Sequence, residues 1–173
     1  MELYQAIFTR CSCRSYTDAP VTDAQLKAIL AAANAAPVGM GAYQTVHLTV
    51  IRNKEFLTAL NAVAKEFMKR DTDPLYGVPV MVLVSAKPGM PPAIEFQNAA
   101  AIIENMLLTA TDLGLGSVYL MGAIAALKTK PELVEMLDLP EGFVPIAAAA
   151  IGHAAAPAVQ REEQQKIEIN YID

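Results

Sequence analysis

Apolar residues recur along this chain in two periods, and the switches between them mark out the elements. Leu3, Ala6 and Ile7 fall at helical spacing and predict helical first turns. Thr22-Asp23-Ala24-Gln25 is a capping box, in which the Thr22 hydroxyl takes an early backbone N–H and Gln25 reaches back. The helix it opens carries Leu26, Ile29, Leu30 and Ala33 and fails at Pro37. Alternation takes over from Val46 to Ile51, which reads as a strand. From Lys54 to Lys69 the helical period returns, with Phe56, Leu60, Val63 and Phe67 on one stripe. Val78 to Val84 is continuously apolar and β-branched, the pattern of a central strand covered on both faces.

Pro91-Pro92 leads into a long helix, Ala93 to Leu113, closed by Gly114 in the left-handed conformation. Between Ala99 and Ala110 that helix is apolar nearly all round, which predicts burial in a core or a subunit interface. Ser117 to Leu120 reads as a short strand, Pro131 to Leu137 as a short helix begun by proline, and Val144 to Ile151 as the last strand. No repeat or linker divides the chain, so one domain over 1–173 is expected. Its class is α+β, a mixed central sheet flanked by helices.

Composition adds an oligomer to this picture. Hydrophobic residues make up 54% of the chain and charged residues 18%, with a mean hydropathy of +0.31. Pro, Asn or Glu interrupts the apolar stretches before bilayer-spanning length, so the excess apolar surface predicts a homodimer interface and no membrane partner. A net charge of −5 and the lack of any basic run argue against nucleic acid. The start lacks the basic and apolar regions of a signal peptide, and Cys11 and Cys13 are a poor disulfide pair; a cytoplasmic location is expected.

Candidate chemistry concentrates in Arg10-Cys11-Ser12-Cys13-Arg14-Ser15-Tyr16. In an extended segment alternate side chains share a face, so Arg10, Ser12 and Arg14 point together. Two guanidiniums and a hydroxyl suit an anion with several oxygens. The alternative for Arg14 is a surface ion pair with Asp18 or Asp23. Nucleophile, zinc and Walker templates are missing, and Gly114-Leu115-Gly116 lacks the third glycine of a dinucleotide fold. His47 reads as a structural histidine, and His153, after the last strand, reads either as a structural histidine or as one that approaches the site. A site with no evident acid, base or nucleophile points to a cofactor that brings its own reactivity.

In combination, four segments resemble the FMN-dependent nitroreductase family. They are Arg10-x-Ser12-x-Arg14-x-Tyr16; Ala36 to Gly41 leading into the Val46 strand; the apolar helix running into Asp112 to Ser117; and Ala149 to His153 followed by a tail with Arg161. The resemblance covers nearly the whole chain and implies a homodimeric FMN enzyme that takes electrons from NADH or NADPH. Its small-molecule acceptors would be nitroaromatics, quinones or flavins, with ping-pong kinetics. The alternative is a module that holds flavin without efficient turnover. By resemblance, Arg10 and Ser12 hold the phosphate and ribityl end, with Cys11 beside them. Arg14 lies at the ring edge where negative charge collects on reduction.

Pro37, Val38, Gly39 and Met40 approach the ring, with glycines on either side of Met40 sparing it a Cβ. Met121 and Gly122 lie against the central ring, the Gly122 N–H facing flavin N5, and Arg161 closes on the phosphate. No side chain acts as a catalytic group, because the flavin carries the chemistry, and no metal is implied. The apolar helix is expected to form the dimer axis. Of Cys11 and Cys13, one is expected to face the phosphate and the other the core.

Overall fold

The computed structural model describes residues 1–89 and 91–172. In chain order the elements are α1 (Leu3–Thr9), α2 (Asp23–Asn34), β1 (Val46–Ile51), α3 (Lys54–Met68), β2 (Val80–Ala86), α4 (Ile94–Asp112), β3 (Gly116–Leu120), α5 (Gly122–Leu127), α6 (Pro131–Glu135) and β4 (Val144–Gly152). The four strands form one sheet in the order β1-β2-β4-β3.

All three strand pairings are antiparallel, which corrects the expected mixed sheet. The connection explains the direction of β2. Helix α3 carries the chain back along the sheet, and residues 69–79 carry it forward again. Strand β2 therefore starts beside the end of β1, with Met81 opposite Ile51. Among the described residues the parallel element is a single bridge, Ser12 to Ser117, outside the named strands.

The sheet is covered on both faces. Val80, Val82, Val84 and Ala86 of β2 join a core with α2 and α4, while Met81 and Leu83 join a second core with α3, α5 and α6. Every residue of β2 is buried, as its unbroken apolar run predicts. It begins at Val80 rather than Val78, because the Val78 N–H turns back to the Leu75 carbonyl and Pro79 has no donor. The alanines 147 to 150 of β4 alternate between the two cores and let helices approach on both sides.

The capping box forms: Gln25 N–H donates to the Thr22 hydroxyl, and the Thr22 N–H to the Gln25 side chain. Helix α4 ends in a Schellman motif, with Leu115 N–H on the Ala110 carbonyl, Gly114 N–H on Thr111, and Gly114 at φ 72°. Two expectations fail by packing. The stripe of α3 runs through Phe56, Leu57, Leu60 and Ala64; Val63 is half-buried, and Phe67 is 50% exposed. The last turn of α3 lies at the start of α5, where Met68 meets Gly122. More consequentially, Ile102, Ile103, Met106 and Leu107 lie in the chain's own core against the sheet, so they cannot form a dimer axis. An apolar helix is satisfied equally by a core or an interface, and here α2 and the sheet cover its inner face, leaving Phe96, Ala100 and Glu104 exposed on the other.

Candidate functional site

The Arg10–Tyr16 segment is annexed to the sheet edge. Ser12 bridges Ser117, the Cys13 N–H donates to the Ser117 carbonyl at 2.9 Å, and Tyr16 bridges Ala154. Gly116 permits this approach, since a Cβ there would sit 2.7 Å from Cys13 Sγ. The Tyr16 hydroxyl donates to the Cys13 carbonyl at 3.3 Å, and burial, with Cys13 next to it, raises its pKa far above the ordinary tyrosine value. Backbone pairing of this kind leaves the arginine and serine side chains out of the ladder, each with its own surroundings.

Arg10 lies 3.5 Å from the Glu104 carboxylate on the solvent side of α4. Arg14 has no carboxylate within 4 Å among the described residues; Asp23 is instead bound by Arg52 at 3.0 Å. Its guanidinium lies 6.0 Å from the centre of the Tyr76 ring, and Arg70 lies 5.7 Å from the same ring. Ser12 is exposed. A cavity of about 620 Å³ opens beside the segment, lined by Thr9, Arg14, Thr111 and the stretches 114–116 and 154–158. Both Cys11 and Cys13 line it, which corrects the expectation that they face apart: residues two apart in extended backbone share a face.

The Pro37–Met40 segment is placed elsewhere. Pro37 is exposed, Val38 is buried, and the Gly39 N–H donates to Asn98 Oδ1 at 2.9 Å on the inner side of α4. A Cβ on Gly39 would collide with Ile94 Cδ1, so the packing of α4 by itself requires a glycine here. Met40 takes φ 58° and its side chain is 80% exposed. A shallow pocket of about 120 Å³ here is shared with Thr45, Ala86, Lys87 and Glu95, whose buried Oε2 has no partner among the described residues.

The two segments occupy opposite ends and opposite edges of the sheet. Cys13 sits by Gly116, where Gly116 pairs with Gly152 and Val80 with Ile151; the Met40 loop adjoins Ala86, at the far end of β2. At about 3.3 Å per residue, the length of β2 separates them by roughly 20 Å. Helix α4 also stands between: Arg10 meets its exposed side and Gly39 its buried side.

Met121 is 67% exposed, and Gly122 opens α5 without a capping side chain. The Gly122 N–H, as the first of a helix, has no intrahelical acceptor. Met68 lies over Gly122, near enough that a Cβ there would be 3.1 Å from its sulfur. Arg161 is turned to α1 instead of the cavity: its guanidinium donates to the carbonyls of Ile7 and Phe8, and its N–H to Phe8. That is a helix C-terminus finding a cation. His47 packs edge-on to Phe143, and the His153 carbonyl accepts the Thr17 N–H. Arg70, Tyr76 and Met68 escaped the sequence reading, although a cation followed by Tyr76-Gly77 in the α3–β2 connection was a visible signal.

An FMN molecule needs cations for its phosphate, a donor for its ring and an open approach. Arg10, Ser12 and Arg14 have the cationic and hydroxyl groups to spare, and Gly122 a spare donor, so the residues fit that ligand. The Nitroreductase family model matches residues 7–153. A relative from Archaeoglobus fulgidus, with the provisional name NADH dehydrogenase/NAD(P)H nitroreductase, is 32% identical over 88% of this chain and 85% of its own length. An FMN reductase [NAD(P)H] from Bacillus subtilis is 27% identical over 98% of this chain and 73% of its own. The crystal structure of a nitroreductase with bound FMN from Bacteroides fragilis is 29% identical, with a TM-score of 0.82, over 99% of this chain and all of that one. The order of the segments, the annexed arginine motif and these matches agree: the chain belongs to the nitroreductase family.

Proposed function

We propose that this chain is an FMN-dependent NAD(P)H oxidoreductase, a single FMN-binding domain that works as a cytoplasmic homodimer with the flavin at the subunit boundary. The observation that carries the reading is the separation of the Arg10–Arg14 segment from the Pro37–Met40 loop. One flavin served by both segments draws them from two chains. The relatives named for FMN and NAD(P)H support the choice of cofactor and reductant.

Arg10 and Ser12 bind the phosphate end, Arg14 stabilises negative charge at the ring edge, and the Gly122 N–H orients the ring at N5. Cys11 lies beside the phosphate, Met121 covers the central ring, and the partner's loop excludes water from the exposed side. Arg161 acts by fixing the C-terminal end of α1, which leads straight into Arg10. FMN, when bound, would supply the redox chemistry between NAD(P)H and nitroaromatic, quinone or flavin acceptors, in ping-pong order.

With the inner face of α4 committed to the core, the dimer interface falls to other apolar surface. Leu3, Tyr4 and Ile7 of α1, Phe96 of α4, and Ile167, Ile169, Tyr171 and Ile172 of the tail are all exposed. Mass spectrometry of heat-released flavin tests the cofactor, with FMN expected and FAD or no flavin contradicting it. Steady-state oxidation of NADH and NADPH with an added quinone tests turnover; flavin bound without turnover would favour a flavin-holding module.

A further inference from the structure

The connection from α3 to β2 contains two consecutive residues of positive φ, Tyr76 at 59° and Gly77 at 68°. A side chain as large as tyrosine rarely adopts that conformation. The surroundings fix it: the Asp73 carboxylate accepts the N–H groups of Leu75 and Gly77, each at 2.7 Å, and Arg70 donates to the carbonyls of Thr72 and Asp73. Tyr76 packs against the core on the α3 side, and Arg14 and Arg70 both lie over its ring. Neither arginine has a carboxylate within 4 Å among the described residues. The Tyr76 ring is the electron-rich surface that Arg14 and Arg70 share.

We propose that Tyr76 is a positioning residue for Arg14: its ring, locked in a left-handed turn, holds the guanidinium where the flavin ring edge gains charge, with Arg70 as a second cation on the same platform. This rests on the reading of Arg14 as the cation beside the flavin. The ring fixes an otherwise solvated arginine before the ligand arrives, so less rotamer freedom is lost on binding. Two cations unneutralised by carboxylates favour the more negative, reduced ligand over the oxidised one.

The experiment is spectroelectrochemical titration of the FMN-loaded protein, with oxidised-FMN affinity measured in parallel by fluorescence. Tyr76→Leu is expected to weaken reduced-FMN binding about tenfold relative to oxidised-FMN binding, which lowers the two-electron midpoint potential by ~30 mV. Tyr76→Phe keeps the ring and should keep the wild-type potential. Arg70→Gln should give a smaller fall, and Tyr76→Leu should add little in an Arg14→Ala background, because the Thr72 and Asp73 carbonyls hold Arg70 independently and the ring acts mainly through Arg14. A Tyr76→Leu protein that binds FMN with unchanged potential overturns the inference alone. So does a fall as large in Tyr76→Phe, or an additive fall with Arg14→Ala. A wild-type chain that binds no FMN overturns the functional reading and this inference together.

Discussion

The Arg10–Tyr16 segment and the Pro37–Gly41 loop are both short, irregular and exposed, yet they are built in contrasting ways. The first is sewn to a sheet edge by backbone hydrogen bonds and presents cations. The second is pinned by one side-chain amide and one isoleucine of α4 and presents a methionine from a strained turn. One has the chemistry of an anion site and the other that of an apolar cover. They lie at opposite ends of the sheet, and in the proposed homodimer one flavin would draw the first from one chain and the second from its partner.

The largest expected effect comes from breaking the helix that stands between the two regions. Ile103 is fully buried in the core, so Ile103→Glu strands a carboxylate there and should cost about 3–5 kcal/mol or more, seen as loss of the cooperative thermal transition. Phe96→Glu on the exposed side of the same helix should leave the monomer fold intact and weaken the dimer. Normal melting of Ile103→Glu would remove the distinction between the inner and outer faces of α4.

Next in size is a wedge under the first region alone. Gly116→Val should push Cys13 off β3, with a stability loss of roughly 1–3 kcal/mol and at least a tenfold loss of FMN retention on gel filtration. Undiminished retention would mean that the annexed backbone does not set the arginines.

Within that region the two arginines separate by role. Arg10→Ala should weaken FMN in both redox states by ~10-fold or more, the scale of one charge-assisted bond. Arg14→Ala should in addition lower the midpoint potential. Equal affinity losses without a change in potential would refute the assignment of Arg14.

The smallest effect is a pH dependence. Burial and Cys13 hold the Tyr16 phenol well above its ordinary 10.0, and burial raises Tyr119 as well. The unfolded chain releases these protons above pH 10 while the folded chain keeps them, so stability falls as pH rises past 10 and is untouched below it. Denaturant titrations on either side of pH 10 should show a shallower fall in Tyr16→Phe than in the wild type.

Most of the scaffold was legible because local rules and tertiary packing agree in it. The Thr22–Gln25 box, the Gly114 stop and the unbroken apolar run of β2 each have one physical solution. The direction of β2 was not legible, because it depends on how residues 69–79 travel rather than on any residue's preference. Helix α5 was missed because Gly122–Leu127 is too short for periodicity to register. Of the candidate site, the extended backbone of the arginine segment was readable from its alternation, but the grouping of its side chains was not: Arg14 lines the cavity with Cys11 and Cys13, while Arg10 meets Glu104. The packing role of Gly39 was not legible, because its neighbour Ile94 lies far along the chain. Tyr76 was unreadable as a partner of Arg14, because sixty-odd residues of intervening chain bring them together.

Sedimentation velocity of the FMN-loaded protein, followed at a flavin wavelength through a dilution series, tests the shared pocket most directly. The predicted result is flavin absorbance moving with a species of about twice the 18.5 kDa chain mass, and released in step with dissociation as the protein is diluted. A stable monomer that retains full FMN occupancy would contradict it.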